Sequence, residues 1–280
     1  MQTSGGHRGT RAARRRGWIV GVIVVALVVG GVVAVKVVHH GPRDGFSFTA
    51  TPPLLPGAPV LIHPVEASAL TVDPQGYDVS YPQCGRVLPA TGGYAIVGVT
   101  GGSPFTSNPC RGVQLSWATT KPAHAVYVNT AYRGKGDPVA YGQSIAHDAV
   151  ARERASGSAG TPMWWLDVET VNRWDGTQQQ NATVLDAAAA TLQGLGARVG
   201  IYSTPNMWSE ITGDWEPGLP TWYATGHGTR ARSLRACSDT FAGVHPSIVQ
   251  WIQSTSQGSL DHDYLCPAAR GHSRDTLAAT

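Results

Sequence analysis

Charge is scarce in this 280-residue chain, where Asp, Glu, Lys and Arg together make up 14% of the residues. The first forty residues contain no acid at all, yet hold Arg8, Arg11, Arg14, Arg15, Arg16 and Lys36. The formal charge of +3 therefore belongs to one end, and residues 41–280 carry 15 basic against 18 acidic residues. With no basic cluster on that larger part, nucleic-acid binding is not expected. A Walker motif is missing, as is any G-x-G-x-x-G ahead of a helix, so nucleotide binding has no support either. No internal repeat is present. There is no C-x-x-C and no H-x-x-x-H spacing; His147, His227 and His262 stand singly, and neither a metal nor a cofactor is expected. Disorder as the main state is excluded by the 42% hydrophobic content.

Among what is there, residues 18–38 form a Val-, Ile-, Leu-, Ala- and Gly-rich run broken only by Lys36. At about 1.5 Å per residue such a run spans a hydrocarbon core of roughly 30 Å as a helix. The arginines before it place residues 1–17 in the cytoplasm and everything after residue 38 outside. The expectation is a single-pass anchor, 18–38, in the cell membrane, the alternative being secretion after cleavage of a signal. Arg15-Arg16 also resembles a twin-arginine export signal. Residues 39–74, with Pro52, Pro53, Pro56 and Pro59, read as an extended linker. The only cysteines are Cys84, Cys110, Cys237 and Cys266, and outside the cytoplasm disulfides are the default. The preferred pairing is Cys84 with Cys110 and Cys237 with Cys266, since each bond then staples neighbouring elements.

Residues 75–266 alternate short apolar runs with helical stretches, and 267–280 read as a tail. Strands are expected at 76–80, 94–100, 125–129, 163–168, 198–202, 221–224, 247–252 and around Leu260. Several are apolar throughout, as parallel strands covered on both faces are. Helices are expected at 144–155, 177–195 and 205–211. Eight strands alternating with helices point to an α/β fold, an irregular (β/α)8 TIM-like barrel compressed into about 190 residues. A doubly wound open sheet is the runner-up.

Asp167-Val-Glu169 closes the fourth strand, and a period of two puts both acids on one face. Two carboxylates there repel each other, which raises the pKa of at least one and suits it to proton donation. Asp78 ends the first strand, while Asp261 and Asp263 lie on the last. If these ends share a rim, the cluster implies acid–base chemistry. Tryptophans and tyrosines near strand ends, among them Tyr202, Trp222 and Trp251, offer faces for sugar rings, and paired carboxylates hydrolyse glycosidic bonds.

These residues stand in an ordered set of blocks. Gly76-Tyr-Asp-Val-Ser-Tyr-Pro-Gln83 resembles the G-x-D-V-S-x-x-Q opening strand of the family 25 glycoside hydrolases, the lysozyme-like muramidases. Trp165-Leu-Asp-Val-Glu169, Gly200-Ile-Tyr-Ser203 with Trp208, Leu219-Pro-Thr-Trp-Tyr-Ala224, and Gln250-Trp251 with Asp261-His-Asp263 are similar to later blocks of that family. The resemblance implies an irregular (β/α) barrel, a cell-wall glycan as partner, cleavage between N-acetylmuramic acid and N-acetylglucosamine, and no metal. It implies Glu169 as general acid, Asp167 and Asp78 as groups that tune it and hold the substrate or intermediate, and Asp261 as completing the acidic rim. Tyr202, Trp222, Trp251 and Asp263 are the expected substrate contacts. Three departures accompany it: Thr100-Gly101-Gly102 stands where the family has T-E-G, Tyr127-Val-Asn-Thr130 lacks an aromatic-His pair, and Asp263 replaces a closing Asn. The functional expectation is a monomeric, membrane-anchored, extracytoplasmic glycoside hydrolase. The alternative is a non-catalytic glycan-binding or envelope scaffold on the same barrel.

Overall fold

Short apolar runs bounded by Gly and Pro make the strands of this chain, and their pairing closes on itself. In the computed structural model, which describes residues 26–29, 32–35, 72–158, 160–161, 163–255, 258–272 and 277–279, eight strands form a barrel. They are β1 (Gln75–Val79), β2 (Tyr94–Gly98), β3 (Ala123–Asn129), β4 (Met163–Asp167), β5 (Arg198–Ser203), β6 (Thr221–His227), β7 (Ile248–Thr255) and β8 (Gly258–Leu265). Strands β1 to β7 pair in parallel in chain order. The β3–β4 pairing excludes the open doubly wound sheet, because it joins what would be the two halves of that sheet. β8 runs antiparallel to both β7 and β1 and completes the ring. The barrel is therefore irregular in a definite way: its last strand descends from the rim at which the others end.

Among the described residues five α-helices accompany the strands: α1 (Arg111–Ala118), α2 (Pro138–Arg154), α3 (Gln178–Gly194), α4 (Pro205–Thr212) and α5 (Arg230–Ser233). α2 starts before the expected residue 144, because Asp137 caps it through Val139 N at 2.8 Å and Pro138 occupies its first turn. α3 opens on a capping box between Thr177 and Gln180. α1 was not expected; its N-cap, Cys110, makes no side-chain cap hydrogen bond, so the local signal is weak. α2 and α3 pack against each other at Gly142, where a Cβ would lie 2.2 Å from Val184 O. The two disulfides are Cys84–Cys110 and Cys237–Cys266, each with Cα atoms 5.6 Å apart, as the preferred pairing had it. The first ties the turn after β1 to the start of α1. The second ties the β6–β7 connection to the end of β8.

Strand alternation sorts the buried side chains into two layers. Ala95, Val97, Val126, Val128, Trp164, Leu166, Val199 and Ile201 face the helices. Tyr94, Ile96, Ala123, Ala125, Met163, Trp165, Trp222, Ile248 and Leu265 fill the barrel. Large rings fit inside because glycines face them: a Cβ at Gly200 would lie 2.3 Å from the Trp165 ring, and one at Gly76 would lie 2.4 Å from the Tyr94 ring. The segment expected as a tail joins the same layer. Leu277 is buried in it, and Ala278–Ala279 pair antiparallel with Ala123 and His124 of β3.

Of residues 1–64, a unit apart from the barrel, only 26–29 and 32–35 are described. The expected membrane helix, 18–38, lies outside the described residues except for Ala26–Val29 and Val32–Val35, which are paired as two antiparallel strands. Among the described residues no helix is long and apolar enough to cross a membrane. Residues 39–71 of the expected linker also lie outside the described residues.

Because Gly200 touches a fixed indole, Gly200→Ala should overpack the barrel. A loss of roughly 1–3 kcal/mol is expected, read as a lower Tm in thermal unfolding followed by near-UV circular dichroism.

Candidate active site

The inward alternation that fills the barrel with apolar side chains changes character at its upper rim. Along β4 the inward positions run Met163, Trp165, Asp167, and the next is Glu169 beyond the strand end. Along β3 they run Ala123, Ala125, Tyr127, Asn129, and along β7 Ile248, Gln250, Ile252. The polar ends line a cleft of about 260 Å³ that contains Asp78, Asp167, Glu169, Asp261, Tyr127, Asn129, Tyr202, Trp222 and Gln250. Since β8 is reversed, Asp261 arrives from above, directly opposite Asp78 in the ladder.

The acids are held by two sets of hydrogen bonds. Asp167 accepts from the side-chain amides of Asn129 and of Asn172, the latter at 3.0 Å. Asn129 is itself fixed by Thr100, whose Oγ1 donates to Asn129 Oδ1 at 2.7 Å and accepts from its backbone N–H at 3.0 Å. Asp78 Oδ2 accepts from Gln250 Nε2 at 2.7 Å, and Gln250 Oε1 accepts from the Tyr202 hydroxyl at 2.9 Å. Neither ion pair found among the described residues, Arg152–Asp148 and Arg173–Asp175, involves these acids.

Without a paired cation, burial governs their titration. Burial, then the Glu169 charge, pushes Asp167 well above the usual carboxylate range. Burial also raises Glu169. Asp78 is raised well above its ordinary value by burial and then by Asp263 and Asp261. Asp261 is pushed up to about 6 by burial and then by Glu169, with His227 and Arg86 opposing.

Asp78, Asp167, Glu169 and Asp261 thus share one mouth, with Tyr202 beside them. The other expected substrate contacts are placed differently. Trp222 forms the floor but is only 1% exposed, so little of its face is open. Asp263 lies one pleat lower inside the barrel and accepts from Trp222 Nε1 at 2.9 Å. Trp251 is on the outer face of β7, stacked on His262 with centroids 5.2 Å apart, because alternation sends it away from Gln250 and Ile252.

The exposed aromatic at the mouth is Tyr81, 47% exposed, which had not been singled out. It stands beside Gly102, where a Cβ would lie 3.1 Å from its ring, so this glycine, one residue after the missing acid's place at Gly101, makes room for it. A Ser80–Gln83 capping box sets the turn that carries it, and the box is visible in the sequence. Asn172 was also missed; it reaches Asp167 only through a one-turn 3-10 helix, Thr170–Asn172, for which the sequence carries no distinct signal.

A family model described as lysozyme-like protein 1 matches residues 114–258, just over half of the chain. The chain belongs to that family. The match takes in Asp167 and Glu169 and leaves Asp78, Asp261 and Asp263 outside it. The lysozyme-like chain is 33% identical over 109 residues to a probable GH family 25 lysozyme 4 of Dictyostelium discoideum, covering 38% of this chain and 50% of that one. It spans about half the length of the curated relatives it matches first. Among solved structures, a bacterial lysozyme from Streptomyces coelicolor matches with a TM-score of 0.53 at 17% identity, over 73% of this chain and 98% of that one. A muramidase from Acremonium alcalophilum matches with a TM-score of 0.53 at 15% identity, over 72% and 98%. At these identities the two structures speak for the fold. Together with the family match, they make the barrel a GH25-like lysozyme domain.

A carboxyl whose pKa is raised on folding stabilises the fold below its unfolded pKa, and that stability is lost as pH rises through the folded value. For Asp261 the window runs from about 4 to about 6. The Tm of the lysozyme-like chain should fall as pH rises across it. Asp261→Asn should remove part of that slope, on the order of 2 kcal/mol, in unfolding scans taken at several pH values.

Proposed function

We propose that the chain is a muramidase-like glycoside hydrolase that cleaves a cell-wall glycan outside the cell membrane, held there by residues 18–38. The observation that carries the hydrolase reading is the contact between the Asp167 and Glu169 carboxyls at the end of β4, in an open cleft that also contains Asp78 and Asp261. Two touching carboxyls, partly withdrawn from water, hold a proton between them at neutral pH. Asn129 and Asn172 both aim N–H groups at Asp167, which favours its ionised form. Burial outweighs this and raises Asp167 further than Glu169, so the proton is shared by the pair; Glu169, half-buried where Asp167 is buried, is the member placed to pass it into the cleft. Glu169 is the general acid in this reading and gives its proton to the leaving glycosidic oxygen.

The positive charge that develops on the sugar ring would face Asp78 and Asp261 across the cleft. Asp261 ionises above about 6, so it supplies negative charge at neutral pH. Tyr81 would stack on a sugar ring at the mouth, and Val171, 81% exposed and lining the same cleft, would add apolar surface. The names lysozyme and muramidase borne by the relatives support this substrate class. The membrane placement is supported by the apolar run 18–38 and the arginines that precede it.

Full chain incubated with purified cell walls should release reducing ends. Glu169→Gln should lower kcat by about 10²–10⁴, the usual weight of a general acid. Glycan binding without turnover in the wild type, or undiminished turnover in the variant, would overturn the reading. Tyr81→Ala should raise KM by about 3- to 10-fold, from roughly 0.5–1.5 kcal/mol of stacking, and leave kcat nearly unchanged.

A further inference from the structure

Asp263 has no part in the chemistry above, and its surroundings are unusual for an acid. It is fully buried, in the barrel below the cleft. In the β8–β1 ladder it lies opposite Gly76, two residues from the Asp261–Asp78 pair, so alternation sends Asp263 and Asp78 to the same inner face. Gly76 has no side chain to come between them. One oxygen of Asp263, Oδ1, accepts from Trp222 Nε1 at 2.9 Å. The other, Oδ2, meets no N–H or hydroxyl donor among the described residues. What Asp263 touches instead is the Asp78 carboxyl.

The groups around the pair cannot relieve it. Gln250 already donates to Asp78 Oδ2 and is held in that orientation by the Tyr202 hydroxyl. Tyr202 in turn packs on Trp222, with ring centroids 4.5 Å apart. Facing the pair from β2, β3 and β5 are the phenols of Tyr94, Tyr127 and Tyr202, all neutral because burial raises them. From β8 comes Asp261, another acid, while β6 and β7 contribute the uncharged Trp222 and Gln250. Two ionised carboxyls in such a place would repel each other, and Asp263 Oδ2 would be left without a donor.

We propose that Asp78 and Asp263 hold one proton between their facing oxygens at neutral pH, which makes Asp263 a positioning residue that fixes the Asp78 carboxyl and limits the pair to one negative charge. Asp78 then presents a single, oriented charge to the cleft, backed by a ring of contacts from Asp263 through Trp222, Tyr202 and Gln250. The shared proton itself is independent of the hydrolase reading; its bearing on turnover rests on that reading.

Infrared spectra of the full chain, taken above the Asp261 titration, test this through the C=O stretch of a neutral carboxyl. Asp263→Asn and Asp78→Asn should each remove the same neutral-carboxyl band, and Glu169→Gln should leave it in place. Asp263→Asn keeps the shape and can donate its own N–H to Asp78; should it fail to fold, Asp78→Asn reads the same band from the other partner. The Asp167–Glu169 proton contributes a separate band that Glu169→Gln removes; spectra in which neither Asp263→Asn nor Asp78→Asn removes any neutral-carboxyl band overturn the proposal. So does a wild type that lacks the band while Tyr94→Phe creates it, since the Tyr94 phenol would then be the donor to Asp263. Because no turnover is needed, an inactive protein with the expected bands would refute the hydrolase reading alone.

Discussion

A carboxylate taken from water into a closed barrel must find a cation, a hydrogen-bond donor or a proton, and the upper half of this barrel is arranged around that requirement. No paired cation is supplied to its acids among the described residues. Neutral donors are supplied instead: Asn129 and Asn172 to Asp167, Gln250 to Asp78, and Trp222 to Asp263. Where donors run out, carboxyls meet in pairs, Asp167 with Glu169 and Asp78 with Asp263. The same need explains why these polar side chains are amides and an indole rather than Lys or Arg. An uncharged donor orients an acid without neutralising it, and so leaves its proton affinity high.

The fold follows from the steric side of the same closure. Glycines at Gly76 and Gly200 let Tyr94 and Trp165 fill the interior, and Gly98 gives room to Tyr127 at the level of the cleft. The apolar lower layer excludes water from beneath the acids. The polar upper layer is thereby confined to one mouth, and the disulfide Cys84–Cys110 secures the turn that carries Tyr81 to that mouth.

What could be read in advance divides along the range of the interaction. Period-two alternation and turn residues are local, so eight strands, the shared face of Asp167 and Glu169, and the start of α3 at Thr177 were all legible. The caps of α2 were equally local, though its start was placed too late. Side-chain orientation in β7 was legible in principle as well, since Gln250 inward requires Trp251 outward; treating the two as a site pair overrode the alternation. The role of Asn172 was not legible, because it depends on a single 3-10 turn folding back on the strand before it. The reversal of β8 is non-local: it comes from the ladder with β1 and the hairpin with β7, and a run as polar as Gly-Ser-Leu-Asp-His-Asp does not declare its direction.

That reversal has a consequence for how a polymer lies in the cleft. A barrel with eight equivalent strand ends offers a ligand the same surroundings on every side. Here β7 and β8 continue as a two-stranded ribbon past the level of Ile252 and Asp261, and Arg86 from the β1–β2 connection grips that ribbon at Ser259 O, 2.9 Å away. The opposite bank is the short turn after β4 that carries Val171 and Asn172. A chain molecule entering between a tall wall and a low one meets a groove with a handed cross-section, which distinguishes its two ends.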